Sequence, residues 1–207
     1  VGPLVAPDTL GHWLGLTTID EDRAELLLEV ASDLVRGHLA QEVDYHAEDS
    51  VDVIGNGGRV LLCPELPVWQ VHSIGQRFAG DSAFEDLIEL ADYDVELGYD
   101  HRLGILRRAG GARWTKGATY RIVTTHGYGV EGDSGVSVDP LPGSIKAVVL
   151  RCAARGYTNP TGLRTESIGR YNRGIGFGGG DAAGLTLSAG DKSDLEAFLP
   201  GRRSGAR

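Results

Sequence analysis

Asp20-Glu21-Asp22-Arg23-Ala24-Glu25-Leu26-Leu27-Leu28-Glu29-Val30-Ala31-Ser32-Asp33-Leu34-Val35 is the stretch on which the fold turns. Ala24, Leu27, Leu28, Ala31, Leu34, Val35 and Leu39 recur at intervals of three and four, which lays one apolar stripe along a helix. The helix is expected over about residues 19–42. Thr18 with Glu21 three residues on predicts a capping box, and Asp20 and Asp22 suit the positive end of the helix. Glu25, Glu29, Asp33 and Arg36 fall on the other face. A second stripe, Ile145, Val148, Val149 and Cys152, predicts a helix over 143–156, with Gly156 as its stop and Pro160 beyond. Neither helix can hide its stripe alone, so the two are expected to pack on each other. Before them, Pro7-Asp8 with Leu10, Trp13 and Leu14 allows a short helix broken at Gly15.

Between about 43 and 128 the period changes to two. Val51 to Ile54, Gly55-Asn56-Gly57-Gly58, then Arg59 to Cys63 reads as a hairpin, because Asn-Gly supplies the positive φ angles of a tight turn. Val68 to Phe78, Tyr93 to Leu97, Leu103 to Arg107 and Thr119 to Thr125 are further strands, which together suggest a small antiparallel sheet or sandwich. Residues 157–184 are Gly-rich and weakly patterned. Ser188 with Asp191 then caps a short helix showing Leu195, Phe198 and Leu199, followed by Arg202, Arg203 and Arg207.

The chain is thus expected to be α+β. Two helices form a small core with an inserted antiparallel β region, and a C-terminal arm ends in a short helix. In domain terms, residues 1–156 are the core and 157–207 the arm. The arm is poor in apolar side chains, so it should be ordered only against something else, in its own chain or a neighbour.

The 207 residues include Gly 31, Pro 8 and Cys 2, with a net charge of −9. Cys63 and Cys152 cannot by themselves make a disulfide framework or a structural zinc site. No apolar run reaches ~18 residues, so no membrane span is expected. Val1-Gly2-Pro3 shows no secretory leader, and synthesis in the cytosol is expected. Residues 1–100 carry 4 Lys and Arg against 21 Asp and Glu, a net of −17; residues 101–207 carry 16 against 8, a net of +8. One reading is a folded monomer that interleaves the halves and pairs their charges; the other is a subunit acidic at one end and basic at the other, which suits an assembly of stacked, oriented partners. The overall acidity disfavours tight binding of free nucleic acid.

Motifs with catalytic associations do not hold up. Gly132-Asp133-Ser134-Gly135 is the tetrapeptide around the nucleophile of trypsin-like proteases, but no matching His segment exists; His126 lies only eight positions upstream. Gly174 to Gly180 opens into Asp181-Ala182-Ala183-Gly184 rather than a helix, unlike a phosphate-cradling loop. The six histidines lack metal-ligand spacing, and His126, at a strand end, suits a structural hydrogen bond. No catalytic, cofactor or metal residue is assigned.

The order of elements resembles the head-tail connector (adaptor) proteins of long-tailed bacteriophages, which form a ring beneath the portal. Five stretches carry the resemblance: the acidic-capped first helix; Leu66-Pro67-Val68 to Ile74; Trp114-Thr115-Lys116-Gly117 leading to Ile122-Val123-Thr124-Thr125-His126-Gly127-Tyr128; Leu141-Pro142 before Val148 to Arg155; and Glu166-Ser167-Ile168-Gly169-Arg170-Tyr171 with a basic-ended terminal helix. It spans about residues 10–203. The loop 129–143 is longer than the pattern and Gly174 to Gly184 more glycine-rich. The resemblance implies a non-enzymatic virion subunit, assembled in the host cytoplasm as a ring of twelve copies. Such a ring holds the portal on one side and downstream neck or tail-terminator proteins on the other, and genomic DNA passes through its lumen without sequence-specific binding. The connectors' C-terminal segment reaches the portal, which makes Leu195, Phe198, Leu199, Arg202 and Arg203 candidate contacts. A tail terminator, a head-completion protein, or a hydrolase using Ser134 or a carboxylate pair is the alternative.

Overall fold

The computed structural model describes residues 2–87, 89, 91–96, 104–129, 139–159, 165–168, 171–174 and 185–199, of which 165–168 and 171–174 are described as backbone. The elements are those of an α+β fold. They divide into two compact units, one of residues 1–40 with 129–207 and one of residues 41–128.

The first unit is helical. Helix α1 (Pro7–Leu14) ends at Gly15, whose φ of 68° terminates it, as the sequence suggests. Helix α2 (Glu21–Leu39) packs on α1 and on α3 (Gly143–Thr158). Leu28, Val35 and Leu39 from α2 and Ile145, Val148, Val149 and Cys152 from α3 are all buried. Two terminal details differ from expectation. The cap of α2 is Asp20, whose Oδ1 accepts from the Arg23 N–H at 3.2 Å; the first turn starts at Glu21, too far along for Thr18 to reach. Helix α3 does not stop at Gly156 but runs on to Thr158. Gly156 serves close packing: a Cβ there would sit 3.0 Å from the side chains of Leu27 and Leu185. Past the helices, β8 (Thr165–Ile168) and β9 (Tyr171–Gly174) pair antiparallel in a region that reads as weakly patterned in sequence. Helix α4 (Ala189–Leu195) closes the unit with the expected capping box, Ser188 and Asp191.

Among the described residues, the second unit forms two antiparallel sheets. One has the order β1 (His46–Ile54), β7 (Thr119–His126), β3 (Val68–Arg77), β4 (Glu85–Leu87). The other has the order β2 (Val60–Leu62), β6 (Ile105–Arg108), β5 (Tyr93–Glu96). One cluster joins them, including Leu61, Ile74, Leu106, Trp114, Tyr120 and Ile122. Trp114 meets Tyr120 edge-on at 4.9 Å and donates its indole N–H to the Leu106 carbonyl.

The expected hairpin of Val51–Ile54 with Arg59–Cys63 does not form. β1 pairs with β7 and β2 with β6. The Asn-Gly signal is real but serves a crossing between sheets. Asn56 Oδ1 accepts from Gly58 N and its Nδ2 donates to Val60 O, while Gly57 takes φ 78°. The crossing is held against residues 114–118 instead, through Gly57 N to Trp114 O and Trp114 N to Gly58 O.

Candidate assembly surfaces

The C-terminal helix is the first surface to place. Ser188 and Asp191 start α4, and Asp191 also faces α3, where Arg151 and Arg155 stand four residues apart on one side. Asp191 is 2% exposed and accepts from Ser188 N, Ser188 Oγ, Arg151 Nε and Arg155 Nη2 at 2.8–3.0 Å. Burial alone would raise its carboxyl pKa, but the Ser188 donors and the Arg155 guanidinium outweigh it and hold the group below the usual 3.8. Arg151 also pairs with Asp194, and Arg155 Nη2 donates to the Thr186 carbonyl at 2.7 Å. This latch ties residues 186–195 to α3 of their own chain.

The latch sorts the candidate partner contacts. Leu195 is 0% exposed, so its side chain belongs to its own unit. Phe198 and Leu199 are partly exposed. Arg202 and Arg203 lie outside the described residues. The sequence shows Asp191 only as a cap and the arginines only as polar positions. Their i, i+4 spacing opposite a capping acid was the available signal.

The second surface is the outer side of α2. Asp22, Glu25, Leu26, Glu29, Val30 and Asp33 are all exposed, Leu26 by 60%. Trp13 and Leu16 are exposed too. An open depression of about 240 Å³ lies beside them, lined by Asp8, His12, Leu16 and Glu21 among others. It is smaller than a typical small-molecule site of ~300–1,000 Å³.

The third feature is a histidine–carboxylate cluster in the β unit. A bulge in β1 between His46 and Asp49, with Glu48 at φ 52°, sets Asp49 beside β7. His126 is fully buried, and its Nε2 lies 3.2 Å from Asp49 Oδ2. Its Nδ1 has no partner among the described residues. Burial pushes the His126 pKa below 6.5, against the opposing pull of Asp49; His46, ring to ring at 5.4 Å, adds to the lowering. The His126 bond in turn is the main cause that holds Asp49 below its usual value. His46 Nε2 is 3.1 Å from Glu42, and Glu65, raised chiefly by burial, accepts from the Glu42 N–H. Among the described residues, no group of three or more His, Cys, Asp or Glu is placed to hold a metal ion. A general base must reach its substrate, and His126 is enclosed. Ser134 lies outside the described residues. Among the described residues no helix is long and apolar enough to cross a membrane.

Among the described residues, four α-helices and a two-sheet β unit present a buried histidine and an exposed helix face of acidic and apolar side chains. No protein-family model matches the chain, and no curated protein does. Among solved structures, the chain is similar to one in the neck of an empty GTA particle computed with C6 symmetry. The TM-score is 0.56 at 16% identity, over 99% of this chain and 93% of that one, a likeness of fold. Chains in the virion of the native gene transfer agent particle and in its neck computed with C12 symmetry match at a TM-score of 0.49 and 17% identity. They cover 81% and 88% of this chain, and 83% and 86% of theirs.

Proposed function

We propose that this chain is a structural, non-catalytic subunit of the neck of a tailed, phage-like particle: a head-tail connector that forms a ring with copies of itself. The observation that carries the reading is the fold likeness to a neck chain over 99% of this chain and 93% of the other. The sequence resemblance to phage connectors points to the same place independently. Twelve copies suit the ring, a number compatible with the six-fold axis used for that neck. The ring binds the portal on one side and downstream neck proteins on the other. DNA passes through a lumen that an acidic protein, net −9, does not line as a grip for phosphate.

The portal contact falls on the chain after Leu195: Phe198 and Leu199, then Arg202 and Arg203. Leu195 acts upstream by holding α4. The test is co-assembly of the purified protein with the cognate portal ring, followed by electron microscopy and native mass spectrometry. The full chain should add a ring to the portal. A chain ending at Leu195, which keeps the α4 latch, should fold and fail to bind. Failure of the full chain to associate with portal or itself sinks the reading; normal binding by the truncated chain sinks the contact assignment alone.

A further inference from the structure

We propose that the outer face of α2 in one copy docks on the loop end of the β unit of the next copy, an acidic apolar stripe against a basic apolar patch. This rests on the ring reading and names the contact that closes it.

On α2, Asp22, Glu25, Leu26, Glu29, Val30 and Asp33 follow one another at spacings of three and one, which keeps them on a single side of the helix. All six are exposed, Leu26 by 60% and Val30 by 36%. Asp33 is engaged by Arg36 at 2.9 Å. Asp22, Glu25 and Glu29 have no ion-pair partner among the described residues. The stripe is thus two apolar side chains set among uncompensated negative charge.

The β unit carries the complement. Its sheet crossing, residues 55–58, is laced to residues 114–118 by Gly55 N to Ala118 O, Gly57 N to Trp114 O and Gly117 N to Gly55 O. That lacing gathers Ile54, Arg59, Arg113 and Lys116 at one end. All four are exposed, Ile54 by 60%. Arg113 Nη1 donates to the Gly57 carbonyl at 3.2 Å, which holds its guanidinium at the turn. Among the described residues no carboxylate pairs with these three cations. Asp52, the acid nearest in sequence, is taken by Arg121 at 2.8 and 3.1 Å.

Both surfaces have one plan, an apolar centre with charge of a single sign around it, and the signs are opposite. Each surface repels itself, which disfavours a two-fold contact between like patches. Each fits the other, which is the head-to-tail arrangement that closes into a ring. Leu26 and Val30 against Ile54 supply the water-excluding centre, and the rim charges set orientation and encounter rate.

The arrangement permits a charge-swap test. One variant carries Glu25→Lys with Glu29→Lys; the other carries Arg113→Glu with Lys116→Glu. Each alone presents like charges at every contact, so its self-association, read by sedimentation and native mass spectrometry at low salt, should weaken by about tenfold or more. An equimolar mixture presents opposite charges at every contact and should assemble with the two variants alternating. As a charge-neutral check on the same centre, Leu26→Gln and Ile54→Gln should each weaken association by about tenfold. The proposal is overturned if wild-type protein assembles and the variants assemble equally well, or if the mixture stays apart; rings of wild-type protein would leave the connector reading standing. Wild-type protein that stays monomeric at high concentration and beside the portal ring rejects both.

Discussion

Asp20 and Thr18 are two residues apart, and only one of them reaches the open N–H groups of α2. The Asp20 carboxylate accepts from Arg23 N. Asp20→Ala should therefore cost about 1 kcal/mol of stability, and Thr18→Ala close to nothing, in urea unfolding followed at helical wavelengths. At the same scale, His126 makes stability depend on pH. Its folded pKa is depressed below the 6.5 of the unfolded chain, chiefly by burial, with Asp49 opposing and His46 and Glu42 the other charged neighbours. Above pH 6.5 neither state binds the proton. As pH falls below 6.5 the unfolded chain takes it up first, so stability is lost until the folded pKa is passed; each unit of depression corresponds to about 1.4 kcal/mol. Asp49 acts in a separate window: its stability is present above 3.8 and lost as pH falls through its lowered value. The urea midpoint should drop between pH 7.5 and 5.5 in wild-type protein and stay flat over that range in His126→Gln. An equal drop in both would remove His126 as the cause. The sequence places His126 at a strand end and suggests a hydrogen bond, which the Asp49 contact bears out. It gives no hint of the partner, because Asp49 lies 77 positions away and is aimed by a bulge.

Helices are legible in this chain because their signal is local: a stripe at 3.6-residue spacing names α2 and α3, and a capping box within four positions names α4, without knowledge of anything distant. Strand existence is legible too, but strand partners are not. β1 is followed in sequence by a turn and β2, yet it pairs with β7, because both flank Asn56-Gly57 without belonging to one sheet. The α4 latch lies between these cases. Its capping box is local and readable; its second use, as acceptor for Arg151 and Arg155, needs α3 beside it. That second use is the larger. Asp191→Ala removes the cap and leaves Arg155, only 11% exposed, without its carboxylate. Breaking such a pair should cost about 3 kcal/mol, localised to α4 and its approach. Hydrogen exchange should show residues 189–195 losing protection while β3 and β7 keep theirs. Unchanged protection in α4 would mean that Leu195 alone holds it.

At the scale of the molecule, the β unit is one unbroken run of chain with its own core, whereas the helical unit is assembled from both ends. The run begins and ends at the same place. Val43 O accepts from Tyr128 N at 2.9 Å, and Asp44 and Tyr128 form a bridge. Gly127 makes this possible: at φ 87° it needs no side chain, and a Cβ there would sit 1.8 Å from the Asp44 carbonyl oxygen. Its buried cluster, Trp114 and Tyr120 foremost, draws only on residues 41–128. A segment of roughly 90 residues with joined ends and a private core is above the ~40-residue size at which disulfides or metals become necessary. Residues 41–128 expressed alone should therefore unfold cooperatively in urea, with the near-ultraviolet signal of Trp69 and Trp114 and the backbone signal lost together. The basic loop end, Ile54 with Arg113 and Lys116, can then be presented on a folded β unit free of α2, where it should bind the intact chain but not its own kind. A fragment without a cooperative transition would show that the β core, despite its closed ends, depends on the helices for its stability.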